Sequence, residues 1–244
     1  IKAANPNAKV LLGGIAYDWF TDWGLLPNEP ASSPGPFIRS FLTDVLDNGG
    51  GDYFDIMAFH QYPAFASVWT TDGGAGLIQK TDAIKAVLAQ YSLDKPIMIT
   101  ESGTYSGGVN RPDDAARQSR HVAVLLTQAM AAGIDVHIWF SMHDISGYND
   151  LNGLVTIDGE YKESMLAYQT IVQTLGASSF TRTLPDNETG AANIEAYQFT
   201  SNATGRPIYV AWTLPLADGV QASFSVPGSQ ATVVGLYGGA TNVS

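Results

Sequence analysis

The sequence has no cysteine among its 244 residues, and this single absence excludes several kinds of site. Without thiols the chain can form no disulfide framework, no cysteine nucleophile and no cysteine-ligated zinc site. Three of the four histidines, His121, His137 and His143, follow no recognised metal-ligand spacing. We therefore expect no metal site and no cofactor.

Basic residues and long apolar runs are also scarce. The chain has 12 Lys plus Arg against 23 Asp plus Glu, and the net charge of −11 would repel a nucleic-acid backbone. No apolar run approaches the ~20 residues that a membrane-spanning helix requires. We therefore expect neither nucleic acid nor a membrane as a partner.

The first three quarters of the sequence alternate between predicted strands and predicted helices. Short apolar runs typical of buried parallel strands lie at residues 9–15, 53–59, 96–100 and 134–140. Each run is followed by helical periodicity, at residues 37–46, 77–91, 113–132 and 162–175. This alternation predicts an α/β fold with right-handed crossovers, a parallel sheet and helices outside it.

The remaining residues have a different pattern. After Gly176 short alternating runs are separated by Asn, Gly and Asp-Gly turns, which predicts strands at residues 194–200, 207–214, 220–226 and 231–236. We expect residues 179–244 to form a small antiparallel β module, distinct from an α/β domain at residues 1–178. A complete sandwich needs about 100 residues, so this sandwich-like module is predicted to be incomplete.

Polar side chains occur where the predicted strands end, which is where active groups gather in parallel α/β sheets. His60 and Tyr62 follow the second strand and alternate onto one face. Glu101 ends the third strand, and Trp139 lies in the fourth. A carboxylate at the end of an apolar strand is costly to desolvate unless it has partners or a chemical role. A structural ion pair for Glu101 and core packing for the other three remain alternatives.

In their order and spacing these strand ends resemble the retaining glycoside hydrolases of clan A, most nearly the family 39-like and family 5-like members. The segments that carry the resemblance are residues 4–14, His60-Gln61-Tyr62-Pro63, Ile99-Thr100-Glu101-Ser102-Gly103, Trp139, and residues 153–161 with 167–168. The resemblance extends over roughly residues 1–236. In these families a (β/α)8 barrel leads into a β-sandwich.

The resemblance implies hydrolysis of β-glycosidic bonds in plant-type or microbial oligosaccharides or polysaccharides, with retention of configuration. Glu101 would be the nucleophile, Tyr62 would donate a hydrogen bond to its carboxylate, and His60 would line the sugar site. Trp139 would form the floor beneath the sugar. Apart from the resemblance, Trp69 lies in a loop at a strand end, where its flat ring could contact further sugar units, with packing against its own scaffold as the alternative. The expected location is secreted or extracellular.

Retaining hydrolysis also needs a second carboxyl about 5 Å from the nucleophile, as the acid. In clan A it lies in an Asn-Glu-Pro-like motif after the fourth strand, and this sequence contains Asn28-Glu29-Pro30. Two strands must separate that motif from the nucleophile, but only one predicted strand, at residues 53–59, lies between Glu29 and Glu101. We therefore expect Glu29 not to be the acid, and the acid to lie upstream of Ile1.

The number of strand and helix units implies half of a barrel. A complete barrel has eight units in about 250 residues, whereas this sequence has four, which correspond to strands five to eight. We therefore expect the 244 residues alone to be inactive. Half a barrel leaves two sheet edges and an apolar inner face open, so a homodimer through these edges is expected. The alternative function is a non-catalytic carbohydrate-binding or self-assembling half-barrel fragment.

Overall fold

A computed structural model of the chain describes residues 1–15, 41–62, 76–109 and 111–243. The predicted alternation of strands and helices is confirmed as a mixed α/β fold with one parallel sheet. Its strands are β1 (Leu11–Ile15), β2 (Ile56–Gln61), β3 (Ile97–Ser102) and β4 (Val136–Trp139). Its helices are α1 (Thr43–Asp47), α2 (Leu77–Gln90), α3 (Ala115–Ala131) and α4 (Glu163–Leu175).

The boundaries differ from the predicted ones where turns replace regular structure. β2 begins at Ile56 and not at residue 53, because Gly50–Tyr53 form a short 3-10 helix before it. At the other end β2 and β3 extend beyond the predicted limits and include His60 and Glu101. Gly133 follows α3 with a φ of 70°, a left-handed conformation that favours glycine after a helix.

The four parallel strands lie in the order β1-β2-β3-β4, and in the described ranges β1 and β4 each pair with one neighbour. One face of the sheet carries Met57, Phe59 and Ile99, which pack in a buried core with side chains of the helices. The opposite, inner face is open in the described structure. Its strand residues Leu11, Val136 and Ile138 are 40%, 38% and 47% exposed.

Two residues separate the end of α4 from the start of the antiparallel part. β5 (Ser178–Leu184), β6 (Ile194–Ser201) and β7 (Pro207–Thr213) form a three-stranded sheet, and β8 (Ala231–Val234) pairs with β9 (Ala240–Val243). A short helix, α5 (Asp186–Thr189), lies between β5 and β6. The strand predicted at residues 220–226 is wrong. Those residues form no regular strand, although Phe224 packs against Tyr209 at 6.2 Å between ring centroids.

The β module packs against the outer helices of the α/β part. Leu175 of α4 lies in a buried cluster with Tyr197 and Phe199 of β6. Beside this cluster the Glu195 carboxylate accepts hydrogen bonds from Gln128 of α3 at 2.8 Å, from Trp212 of β7 at 3.2 Å and from Tyr197. This is where the two parts join.

None of the helices in the described ranges combines the length and the apolar character needed to cross a bilayer.

Candidate active site

Glu101, Tyr62 and His60 come together where β2 and β3 end. The Tyr62 hydroxyl donates a hydrogen bond of 2.8 Å to Glu101 Oε2. His60 Nδ1 lies 3.5 Å from the same oxygen, and the rings of His60 and Tyr62 meet edge to face with centroids 6.4 Å apart. The structure therefore joins three of the predicted site residues around one carboxylate oxygen.

The strand register explains this arrangement. His60 pairs with Glu101 across the parallel strands, and the register shifts between Phe59 and His60. Paired residues of neighbouring strands point to the same face, so His60 and Glu101 both lie on the inner face of the sheet. Tyr62 lies two residues beyond His60 and reaches the same carboxylate.

Gly14 of β1 provides the space for the His60 ring. A β-carbon at Gly14 would overlap His60 Nε2 and stand 2.7 Å from His60 Cδ2 and 2.9 Å from Thr100 Oγ1. Real β-carbons do not approach other atoms this closely, so any larger residue would displace the ring or the strand. Gly14 is thus a site residue whose role the sequence did not reveal, because only the neighbouring strand shows what it contacts.

The two oxygens of the Glu101 carboxylate have different surroundings. Oε2 is held by Tyr62, whereas Oε1 accepts no hydrogen bond from any residue in the described part of the chain. The side chain is 39% exposed, so solvent and ligands can reach it. A carboxylate that is held through one oxygen and belongs to a partly exposed side chain is an arrangement that a nucleophile can use.

Trp139 lies one strand further on, in register with Ser102. It is only 9% exposed, and its indole N–H donates a 3.0 Å hydrogen bond to the carbonyl oxygen of Asn152. Its ring meets His121 of α3 edge to face at 6.3 Å between centroids. The structure therefore places Trp139 mainly in the core behind the strand ends, and its predicted role as a sugar floor stays a prediction.

The nearest acidic residue after β4 is already engaged. Asp144 is buried and forms an ion pair of 2.7 Å with Lys162, and its Oδ1 accepts a 2.8 Å hydrogen bond from the Gly153 amide. A carboxylate with these partners is fixed as a structural group of its loop. Asp144 is therefore not a candidate for the second carboxyl.

Two of the histidines beyond the site, His121 and His137, have buried rings, whereas His143 is exposed. Burial lowers the pKa of His121 well below its ordinary value of 6.5, and the nearby charges of Arg117 and His137 lower it further. Burial also lowers the pKa of His137 to about 4. Over residues 1–15, 41–62, 76–109 and 111–243, no group of three or more His, Asp or Glu side chains is arranged to hold a metal ion.

Two sequence-based predictions concern residues outside the described ranges. Trp69, predicted to contact further sugar units, lies there, and so does Glu29. The structure therefore bears on neither of them.

Two solved structures share much of this fold. One is a family 39 glycoside hydrolase from the gut symbiont Bacteroides cellulosilyticus WH2, with a TM-score of 0.63 and 19% identity over 84% of this chain and 45% of that one. The other is a glucosidase from Croceicoccus marinus, with a TM-score of 0.50 and 16% identity over 81% of this chain and 40% of that one. The chain has a glycoside hydrolase fold.

This likeness concerns the fold alone, because identity is below one fifth in both comparisons. The chain spans less than half the length of either structure. No protein-family model matches the sequence. No curated protein sequence matches it either.

Proposed function

We propose that this chain forms part of a retaining glycoside hydrolase that cleaves β-glycosidic bonds in oligosaccharides or polysaccharides. The observation that carries the proposal is the hydrogen bond from Tyr62 to Glu101 at the inner end of β3. The likeness of the fold to glycoside hydrolase structures supports the same reaction class. We also propose a secreted or extracellular location for the protein.

In the proposed mechanism Glu101 acts as the nucleophile. Its Oε1 attacks the anomeric carbon of the sugar while the bond from that carbon to the leaving oxygen breaks. An acid protonates the leaving oxygen, and a covalent glycosyl ester with Glu101 results. Water then loses a proton to the same acid/base group and attacks the anomeric carbon, which releases the sugar and the Glu101 carboxylate.

The Tyr62 hydroxyl suits this role for a geometric reason. It donates its proton to Oε2, so the carboxylate cannot rotate freely and Oε1 keeps a constant direction. A nucleophile that is already oriented needs less reorganisation to reach the anomeric carbon. His60, near the same oxygen, would contact the sugar from the side of β2.

We propose that the acid belongs to a part of a barrel that this chain does not contain. The four parallel strands would be strands five to eight of a (β/α)8 barrel, and the outer edges of β1 and β4, which have no strand partner within the described ranges, fit that proposal. The solved structures that share the fold are more than twice as long as the part they share. On this proposal the 244 residues alone bind sugars weakly and hydrolyse them little or not at all.

The open inner face favours a second candidate function, a self-assembling half-barrel that binds carbohydrate without cleaving it. Leu11, Val136 and Ile138 expose apolar surface on that face, and an exposed apolar patch of this kind marks an interaction surface. Two copies related by a two-fold axis along the barrel would join β1 of one copy to β4 of the other and complete eight parallel strands.

The nucleophile is tested in the protein with its remaining barrel strands present. A 2-deoxy-2-fluoro-β-glycosyl fluoride should form a covalent adduct, and peptide mass spectrometry should locate it on the peptide that contains Glu101. Glu101→Gln should abolish the adduct and lower turnover by several orders of magnitude, whereas Glu160→Gln, an exposed residue of the loop after β4, should change neither. An adduct on another peptide would refute the assignment.

A further inference from the structure

A fully buried glutamine joins the loops that follow β3 and β4. Gln118 lies on α3, and its Nε2 donates to the carbonyl oxygen of Thr104 at 2.9 Å and to those of Leu151 and Gly153 at 3.3 Å each. The Ser164 hydroxyl of α4 donates to Gln118 Oε1 at 2.8 Å. One carboxamide therefore connects the β3 loop (residues 103–109) with the β4 loop (residues 140–162).

The chemistry of these contacts requires a glutamine. The three backbone carbonyls only accept hydrogen bonds, so they need the amide nitrogen with its two N–H groups. The hydroxyl of Ser164 donates to the amide oxygen, and this contact fixes which end of the carboxamide faces the loops. A carboxylate here would set acceptor against acceptor, and an apolar side chain would leave the buried carbonyl of Thr104 without its donor.

The two loops lead directly to the site. Thr104 lies three residues after Glu101, and Leu151 and Gly153 flank Asn152, whose carbonyl holds the indole of Trp139. The strand ends themselves are close, because a β-carbon at Gly103 would stand only 2.7 Å from the carbonyl oxygen of Phe140. The carboxamide of Gln118 thus spans from the Glu101 strand end to the segment that holds Trp139.

A second set of contacts holds the same short segment. The Gly153 amide donates to Asp144, and Lys162 bridges Asp144 to the hydroxyl of Ser106 at 3.1 Å in the β3 loop. The Ser106 amide also donates to the carbonyl of Leu151 at 3.0 Å. Both sets of contacts connect the β4 loop to the loop that follows β3.

We propose that Gln118 is a positioning residue, which sets the separation between Glu101 and the β4 loop and with it the width of the sugar cleft. That the cleft binds a sugar rests on the proposed function, but the position of the β4 loop can be measured without substrate. Gln118 touches no reacting atom, so its effect is expected on geometry and on the binding of the sugar.

The test uses the indole N–H of Trp139 as a reporter in the full chain labelled with 15N-tryptophan. Trp139→Phe identifies the Trp139 resonance. In Gln118→Met we expect that resonance to shift and its hydrogen exchange to become about tenfold faster, because the loop that accepts the indole proton opens more often. The resonance of Trp212, whose indole donates to Glu195 in the β module, should stay in place.

Gln128→Met is the matched control. Gln128 is also a buried glutamine of α3, but its Nε2 donates to Glu195. This variant should therefore shift the indole resonance of Trp212 and leave that of Trp139 unchanged, which is the reverse of the result expected for Gln118→Met. Ser164→Ala removes only the hydroxyl that orients the carboxamide. It should shift the Trp139 indole resonance in the same direction as Gln118→Met does, but by a smaller amount.

A Trp139 resonance with unchanged shift and exchange in folded Gln118→Met would overturn the proposal. If Gln118→Met does not fold, an unchanged Trp139 resonance in Ser164→Ala would overturn the proposal instead. Failure of the proposed hydrolysis is a separate result, because the indole signals report loop position in the absence of any sugar. In the complete enzyme Gln118→Met should raise KM by more than it lowers kcat, whereas Glu101→Gln should act on kcat.

Discussion

Gly14 and His60 share a space that a single additional carbon would fill. A β-carbon at Gly14 would stand 2.7 Å from His60 Cδ2 and would overlap Nε2 of the same ring. His60 in turn lies 3.5 Å from the Glu101 carboxylate. A larger residue at position 14 would therefore displace the imidazole that lies beside the candidate nucleophile.

Gly14→Ala should therefore displace the His60 ring and destabilise the fold by about 1–3 kcal/mol, the usual cost of overpacking. Gly13→Ala is the matched control on the same strand, because no described atom lies within 4 Å of its β-carbon position, and it should change stability by no more than about 0.5 kcal/mol. Urea unfolding measures both effects, and the His60 ring resonances report the displacement. Equal stabilities for the two variants would contradict the packing argument.

Tyr62→Phe should lower kcat of the complete enzyme about 10–100-fold, because a hydrogen bond to a charged group contributes roughly 1.5–3 kcal/mol. The substitution removes only the hydroxyl that donates to Glu101 Oε2. Steady-state kinetics with an aryl glycoside substrate are the measurement, and Glu101→Gln should cost far more. Tyr53→Phe, which removes the hydroxyl of an exposed tyrosine, is the control and should be neutral.

The buried histidines predict a loss of stability in acid. The pKa of His137 is lowered from 6.5 to about 4 by burial, so the unfolded chain binds its proton at higher pH than the folded chain. The free energy of unfolding should therefore fall as the pH decreases from 6.5 to 4, by about 3 kcal/mol for this residue. The lowered pKa of His121 adds to the same slope.

His137→Leu should flatten this slope, and urea unfolding at a series of pH values is the measurement. It should cost little at pH 7, because both ring nitrogens of His137 are buried without a hydrogen bond in the described structure. Thr127→Val, a buried substitution that does not titrate, should shift the curve equally at every pH. An unchanged slope in His137→Leu would show that other groups cause the acid sensitivity.

Glu195→Gln should weaken the attachment of the β module to α3. The Glu195 carboxylate accepts from Gln128, Tyr197 and Trp212, and an amide in its place would turn a donor toward these donors. We expect a loss of about 1.5–3 kcal/mol in chemical unfolding. Glu188→Gln, an exposed partner of Arg182, should cost less, and equal losses would contradict the role of Glu195 as a half-buried acceptor of three hydrogen bonds.

The open face of the sheet predicts self-association of the 244 residues. Light scattering behind size exclusion should give a dimer at high protein concentration, and Ile138→Lys on the inner face should convert it to a monomer. Val172→Lys is the matched control, because Val172 of α4 is 48% exposed and Ile138 is 47% exposed. A wild-type monomer at every concentration would refute the pairing of two half-barrels.

Much of the α/β part could be predicted from the sequence because its signals are local. Apolar runs and helical periodicity report the burial of each element along its own length, and the strand ends place Glu101 near His60 and Tyr62. The β module was harder to predict. β5 carries a mostly exposed, polar sequence whose strand character comes from pairing with β6, as in the contact of 2.9 Å between Thr181 and Thr200.

The positioning contacts could not be predicted for a related reason. Gln118 meets Leu151 and Gly153, which lie 33 and 35 residues further along the chain in an irregular loop. A glutamine within a helix carries no sequence signal of such partners. The same holds for Gly14, which is one of two adjacent glycines, and only the neighbouring strand shows that it is the one in contact with His60.

The connection between α4 and β5 has a mechanical consequence. Two residues separate Leu175 from Ser178, the Ser178 hydroxyl donates to the carbonyl of Leu175 at 2.7 Å, and the Asn202 amide donates to that of Ala177 at 2.9 Å. A link this short and this well bonded leaves no hinge. A force applied to the β module is therefore transmitted directly to α4. Lys162 immediately precedes that helix and pairs with Asp144, so the same force acts on the β4 loop.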